Sequence, residues 1–168
     1  VKLGDVSKNV VSKMTAEQVY VQLLEWAKEY DPDFASKLEA QPDYAKAIIS
    51  IGRGGKKPRK DFGRWDEVKE FVSFFYDDYY TVTDVIPDNF DKADVKAALG
   101  QFADTLDMSD DSNAWFEKIK AIACSLGFAT DMKQYKATPE AFKGSVADIS
   151  MFVRVAITGK TNAPDLYT

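Results

Sequence analysis

The chain has 168 residues, of which 45% are hydrophobic and 29% charged, a balance that excludes an intrinsically disordered polypeptide. It contains no histidine and one cysteine, Cys124, which excludes histidine-dependent catalytic triads, thiolate metal clusters and an intrachain disulfide. The net charge is -5, and no apolar run approaches the roughly 20 residues that span a bilayer, so we expect a soluble protein. Cys124 follows two apolar residues and is expected to be a small residue of the core.

Helix signals dominate the first part of the chain. The segment Thr15–Gln18 has the pattern of a capping box, in which two side chains satisfy backbone N–H groups at a helix start. The pair Asp31–Pro32 combines a preferred N-cap residue with proline at the first helical position. A further short helix is expected to begin at Pro42 and to be terminated by Gly52.

A glycine-rich loop is expected at residues 52–63, because this stretch has four glycines and one proline and no apolar periodicity. A helix is expected to follow over Trp65–Phe75, where large apolar residues recur at helical spacing. Residues 77–90 contain a proline and many acidic residues, which predict a boundary. We therefore expect a first helical lobe at 1–85, which carries the basic loop 52–64, and a second at 86–168.

The second lobe has the same kind of signals. Asp91 can cap one helix, and either Asp111 or Ser112 can cap the next. A longer helix is expected to begin at Thr138 and to end at Gly159. No two-residue alternation of clear strand length and no repeat of 30 to 45 residues is visible. The patterns predict an all-α fold of two small helical lobes.

One stretch of the acidic chain is strongly basic. Residues 53–64 have six lysine or arginine residues against one aspartate. Glycines let a backbone approach a phosphate group closely, and the cations neutralise its charge. Contact with RNA and an ordinary solvated loop explain this composition equally well. For the RNA alternative, the residues expected to bind phosphate are Arg53, Lys56, Lys57 and Arg64.

The stretch at residues 151–168 has a second candidate binding feature. Arg154 lies next to the apolar face of a predicted helix, and Pro164, Leu166 and Tyr167 follow a short polar loop. An arginine together with an aromatic ring and a proline can form a pocket for an unstacked base. Ordinary helix packing is the simpler explanation when this stretch is considered alone.

These residues resemble a known family. The string VRVAITG, from Val153 to Gly159, and the following APDLY resemble the C-terminal anticodon-binding region of bacterial-type glutamyl-tRNA synthetases. The string RWDEVKEFVSFFYDD resembles the family's segment just after its basic anticodon-reading loop. The resemblance covers most of the chain. It is most specific at 151–167, fair at 59–80 and faint before residue 50.

The resemblance assigns anticodon contacts to particular residues. It implies that Arg59 contacts the last anticodon base, with Lys60 as the alternative. It also implies that the first two bases are surrounded by Arg154, Pro164, Leu166 and Tyr167. Ala163 departs from the threonine that precedes this proline in some members, which puts a hydroxyl contact there in doubt. Whether tRNA-Glu alone or also tRNA-Gln is charged would depend on contacts to the last base.

The resemblance also implies what this chain does not do. The family's His-x-Gly-His segment is absent and no Lys-x-Ser-Lys ATP loop is visible, so we expect no catalytic residue, no cofactor and no metal site here. The whole enzyme would join glutamate to tRNA with ATP and magnesium, and this chain would select the tRNA. We expect a cytoplasmic monomer that binds tRNA and neither DNA nor membranes.

A helical protein-interaction module, which would use the acidic and aromatic-rich surface, is the alternative to RNA binding. A free-standing enzyme is disfavoured, because no candidate nucleophile or base has an orienting partner in the sequence.

Overall fold

A computed structural model describes residues 2–167 of the chain. The α-helices of this part are α1 (Lys2–Lys13), α2 (Ala16–Tyr30), α3 (Pro32–Ala40), α4 (Pro42–Ser50), α5 (Val68–Phe71), α6 (Lys92–Thr105), α7 (Ser112–Ser125), α8 (Met132–Ala137) and α9 (Val146–Thr158). Single 3₁₀ turns lie at Trp65–Glu67, Ser73–Phe75, Asp77–Tyr79 and Pro139–Ala141. Residues 2–167 form no β-strand, and Ala129 and Ser145 make one isolated bridge. The predicted all-α class is confirmed.

The chain folds into two compact units, and the first is discontinuous in sequence. It contains the chain up to Thr81 and, in addition, residues Asn162–Leu166. The second unit contains Val82–Thr161 and Tyr167. The lobe boundary expected between residues 85 and 86 stays a prediction.

Local capping signals explain how the first unit begins its helices. The hydroxyl of Thr15 accepts a hydrogen bond from the backbone N–H of Gln18 at 3.1 Å, and the Gln18 side chain accepts one from the N–H of Thr15 at 2.9 Å. Asp31 ends α2 and caps α3, because its carboxylate accepts from the N–H of Phe34 at 3.1 Å. Both predicted caps are confirmed.

Helix α2 packs against α3 and α4, and these two helices pack against each other. Their buried face forms the core of the first unit. Its largest fully buried side chains are Leu23, Phe34 and Leu38. Phe62 and Val68 join the same core from the segment after the basic loop. The core therefore reaches to the base of that loop.

The continuous helix expected over Trp65–Phe75 is wrong. The segment is a 3₁₀ turn, the four-residue helix α5 and a second 3₁₀ turn. Helix geometry fails at Val72, whose φ is -106°. The hydroxyl of Ser73 donates to the carbonyl of Glu70 at 3.0 Å, a local bond that competes with helical pairing. The apolar spacing still predicts burial, since Val68 and Val72 are both buried.

In the second unit, α6, α7 and α9 pack against one another. Asp91 caps α6, and Asp111 rather than Ser112 caps α7, where it accepts from the N–H of Ala114 at 2.8 Å. Edge-to-face contacts join Phe152 of α9 to Phe90 and Phe128, with ring centroids 4.9 and 6.0 Å apart.

The long helix expected from Thr138 begins later, at Val146. The carbonyl of Gly144 accepts from the N–H of Ala129 at 2.9 Å, and the N–H of Val146 donates to the carbonyl of Ala129 at 2.7 Å. This pairing holds residues 144 and 145 in an extended conformation, which excludes a helix there. Ser145 and Asp148 then form a capping box, and Gly159 ends the helix as predicted with a φ of 69°.

The core position expected for Cys124 is also wrong. Cys124 is exposed, whereas the preceding Ile122 and Ala123 are buried. Successive residues of a helix are about 100° apart, so an apolar run of three residues cannot be buried throughout.

Candidate functional site

The basic loop is closed at its base by a backbone hydrogen bond. The N–H of Arg59 donates to the carbonyl of Gly52 at 2.9 Å. Gly52 has a φ of 73°, and a Cβ atom at this position would lie 2.6 Å from Cδ of Arg59. Only glycine suits both the left-handed backbone and this close approach. Residues 53–58 therefore form a loop whose two ends are joined by the hydrogen bond between Gly52 and Arg59.

Arg53 lies at the start of the loop and bonds to the protein itself. Its Nε donates to the carbonyl of Ile49 at 2.8 Å, and its Nη1 donates to the carbonyl of Val11 at 2.6 Å. The guanidinium lies 5.2 Å from the centre of the Phe62 ring. Burial lowers the pKa of Arg53 below its usual value. These contacts tie the ends of α1 and α4 together and occupy donors that a phosphate would need.

The tip of the loop is different. Lys56 and Lys57 are exposed, and so is Lys60 after the loop base. Arg64 is exposed as well and makes two 2.9 Å hydrogen bonds to the carboxylate of Asp66. Of the predicted phosphate-binding residues, Lys56, Lys57 and Arg64 are exposed, and Arg64 is paired with Asp66.

Arg59 links the loop base to the segment Asn162–Leu166. Its Nε donates to both carboxylate oxygens of Asp61 at 3.0 Å, and its Nη2 donates to Oδ1 at 2.8 Å. Nη2 also donates to the carbonyl of Ala163 at 3.1 Å. The hydrogen bond with Asp61 raises the pKa of Arg59 above its usual value, so the guanidinium is always charged. Its side chain stays 34% exposed.

The structure places four of the six predicted anticodon-binding residues in one unit, counting the alternative Lys60. Arg59, Pro164 and Leu166 all belong to the first unit, and Arg59 is hydrogen-bonded to the residue before the proline. Ala163 is completely buried, Pro164 is buried and Leu166 is half-buried. The segment is therefore held against the first unit at its start.

The other two predicted residues belong to the second unit. Arg154 is half-buried on α9, between the buried Val153 and Val155. Tyr167 is 42% exposed, and its hydroxyl donates to the carbonyl of Asp110 at 3.3 Å. The expectation that Arg154 lies beside the apolar stripe of its helix agrees with this burial.

Neither a metal centre nor a membrane helix was found in the described part of the chain. No group of three or more histidine, cysteine or acidic side chains among residues 2–167 could hold a metal ion. Within the same residues, no helix has both the length and the apolar character needed to cross a bilayer.

Asp61 is the residue of this site that was not predicted from the sequence. Its carboxylate is largely buried, with 15% of the side chain exposed, and its carbonyl accepts from the Nζ of Lys8 at 3.3 Å. The available signal was a single acid inside a basic stretch, two residues after the arginine that it binds.

Comparison with known proteins found neither a matching protein-family model nor a matching solved structure. Curated relatives do match. The glutamate–tRNA ligase of Acetivibrio thermocellus is 43% identical over 166 residues, which are 99% of this chain and 30% of that protein. The glutamate–tRNA ligase of Sorangium cellulosum is 46% identical over 168 residues, 99% of this chain and 29% of that protein.

The glutamate–tRNA ligase of Clostridium perfringens is 40% identical over 172 residues, covering 100% of this chain and 32% of that protein. The chain thus spans about three tenths of the length of the relatives that it matches. These alignments nevertheless cover 99–100% of this chain, and all three relatives are glutamate–tRNA ligases. This is the family that the sequence strings around Arg154 and Arg59 resemble. The chain belongs to the glutamate–tRNA ligase family, in which it corresponds to one region of the enzyme.

Proposed function

We propose that this chain binds the anticodon loop of tRNA as the tRNA-selecting part of a glutamate–tRNA ligase. The observation that carries the proposal is the bond from Arg59 to the carbonyl of Ala163, at 3.1 Å. It joins the loop expected to read the last anticodon base to the segment expected to surround the first two. Sequence identity of 43% and 46% with two glutamate–tRNA ligases, over 99% of this chain, supports the same proposal.

Each side chain has a role that its chemistry suits. Arg59 contacts the last anticodon base, with Lys60 as the alternative, since a guanidinium can hydrogen-bond a base edge or stack on an unpaired base. Arg154 contacts one of the first two bases, and Pro164, Leu166 and Tyr167 supply apolar and aromatic contacts to them. Lys56 and Lys57, at the exposed tip of the loop, neutralise phosphates.

The proposal extends to the protein as a whole. The ligase joins glutamate to tRNA, and ATP and magnesium act in its catalytic domain and not at residues of this chain. The protein acts as a monomer in the cytoplasm, and its macromolecular partner is tRNA rather than DNA or a membrane.

Equilibrium binding of the 168-residue chain to anticodon stem-loop RNAs tests the proposal. The series comprises the tRNA-Glu and tRNA-Gln anticodons and single changes at each anticodon position. We expect the chain to prefer its cognate stem-loop and to lose affinity with each change. Equal affinity for all of these RNAs would contradict anticodon reading, and no affinity for any would favour the protein-interaction alternative.

Arg154 gives the matching test for the first two bases. Arg154→Ala should cost about 1–3 kcal/mol of discrimination if it makes a good two-pronged base contact. Arg154→Lys should restore only part of this, because an ammonium lacks the planar fork. An equal loss on cognate and altered stem-loops would show that Arg154 touches the RNA backbone instead.

A further inference from the structure

The contacts of Arg59 use most of its hydrogen-bonding capacity inside the protein. A guanidinium has five N–H groups, one on Nε and two on each Nη. The Nε group and one Nη2 group bond to Asp61, and the other Nη2 group is taken by the carbonyl of Ala163. Within residues 2–167, the side-chain hydrogen bonds of Arg59 all run from Nε and Nη2, and none runs from the two Nη1 groups. They are the donors that remain for a ligand.

Three features fix the Arg59 side chain in this arrangement. Asp61 accepts from two of its nitrogens at 2.8 to 3.0 Å, a two-pronged geometry that sets the plane of the guanidinium. Because Gly52 has no side chain, the Cδ atom of Arg59 can lie 2.6 Å from the position that a Cβ atom of residue 52 would occupy. Asp61 is itself braced by Lys8, whose Nζ bonds to its carbonyl at 3.3 Å. The side chain is therefore held before any ligand arrives.

We propose that Asp61 is a positioning residue for anticodon reading. Its carboxylate holds the Arg59 guanidinium so that the Nη1 edge serves the last anticodon base while Nη2 ties the Pro164 segment to the loop. This inference rests on the proposed function, in which Arg59 reads that base. It adds that base discrimination depends on an acid that touches no RNA.

The charge of Asp61 makes the inference sharper. A carboxylate near the binding surface repels RNA phosphates, so its presence weakens binding that does not depend on sequence. The same carboxylate spares Arg59 the loss of side-chain freedom on binding, which favours the cognate base contact. Removing the charge should therefore have opposite effects on general affinity and on discrimination. A purely structural aspartate would not separate the two.

The chain provides a matched control for Asp61→Asn. Arg64 and Asp66 form the same kind of pair, with the same two-residue spacing and a two-pronged contact at 2.9 Å, but both side chains are more than half exposed. Asp66→Asn removes an equal charge two residues after the end of the basic stretch 53–64. The two variants are compared by binding to the cognate stem-loop and to one altered only at the last anticodon base, with melting temperatures recorded alongside.

The measure of discrimination is the dissociation constant of the altered stem-loop divided by that of the cognate stem-loop. For Asp61→Asn we expect this ratio to fall at least about fivefold, the lower end of what a good base contact supplies. Affinity for the altered stem-loop should stay equal or rise. Asp66→Asn should leave the ratio within about twofold of the unchanged chain, because an exposed pair adds little order. Asp61→Glu, which keeps the charge, should give a ratio between those of the unchanged chain and Asp61→Asn.

Arg59→Ala separates this inference from the proposed function. If Arg59→Ala leaves the ratio unchanged, Arg59 does not read the last base and the assignment under the proposed function fails. If Arg59→Ala lowers the ratio and Asp61→Asn does not, only the positioning role is overturned. That role is also overturned if Asp61→Asn lowers affinity for both RNAs equally together with the melting temperature.

Discussion

The base and the tip of the basic loop have the same kind of charge and opposite surroundings. At the base, Arg53 and Arg59 bond to carbonyls of Val11, Ile49 and Ala163. At the tip, exposed lysines face solvent. The comparison shows that one cluster of cations in the sequence divides into two groups in the structure. The arginines at the base hold the backbone through hydrogen bonds, and the lysines at the tip are exposed to solvent.

This division changes the interpretation of a basic stretch. Arginine suits the base because its fork can satisfy several acceptors at once, whereas lysine suits the tip as a mobile point charge. A substitution at the base should therefore act on folding, and a substitution at the tip should act on RNA binding. Four variants test this division.

The largest effect is expected for Arg53→Ala. It leaves the carbonyls of Val11 and Ile49 without their charged donor and removes the contact with the Phe62 ring. The free energy of unfolding should fall by about 3 kcal/mol, in line with the loss of hydrogen bonds from a charged group. Chemical denaturation measures this, with Lys56→Ala as the control. A change as small as that of the control would show that the base is not structural.

Gly52→Ala should have the next largest effect. A left-handed conformation costs an alanine about 1–2 kcal/mol, and the added Cβ would also displace the Arg59 side chain. Gly54→Ala is a useful control, because Gly54 has a similar φ of 75° but open space around its Cβ position. Denaturation should show a greater loss for Gly52→Ala than for Gly54→Ala. Equal losses would mean that backbone strain alone matters and that the approach of Arg59 does not.

At the tip, changing both Lys56 and Lys57 to alanine should leave the melting temperature unchanged. If both side chains contact phosphates, the dependence of log affinity on log salt concentration should flatten by up to roughly one unit for each lost contact. Stem-loop binding at several salt concentrations measures this slope. An unchanged slope would show that the lysines at the tip do not contact the RNA backbone.

The smallest effect is expected for the exposed pair of Arg64 and Asp66. The hydrogen bond from Arg64 holds the pKa of Asp66 below its usual value. A lowered folded pKa stabilises the protein above the unfolded pKa, and this contribution is lost as the pH falls through the folded pKa. Arg64→Ala should return the pKa of Asp66 toward its usual value with no measurable change in melting temperature. Carboxyl NMR titration checks the first outcome and thermal denaturation the second.

The sequence predicted those parts of the fold that depend on a few neighbouring residues. Thr15, Asp31 and Asp91 cap helices because their side chains reach N–H groups two or three residues away. Helix lengths were less predictable. The pairing of Gly144 with Ala129 delays the start of α9, and apolar spacing contains no information about that distant backbone contact.

The candidate site shows the same limit. The basic stretch and the strings around Arg154 pointed to RNA and to the family, because composition and short motifs are local. The roles of Arg53 and Asp61 were hidden, because both depend on segments that only folding brings together. Arg53 bonds to the carbonyl of the distant Val11, and the side chain of Asp61 is only 15% exposed. Counting six cations in one stretch thus overstated how many are available to a ligand.

The discontinuity of the first unit has a consequence for the order in which the protein matures. Arg59 and Ala163 are 104 positions apart, and residues Val82–Thr161 of the second unit lie between them in the sequence. During synthesis the helices before Thr81 can fold early, but the acceptor for the Nη2 of Arg59 does not exist until residue 163 has been added. A ribosome-bound chain that is paused before this point would hold a first unit with its core in place and with the hydrogen bond from Arg59 to Ala163 not yet formed.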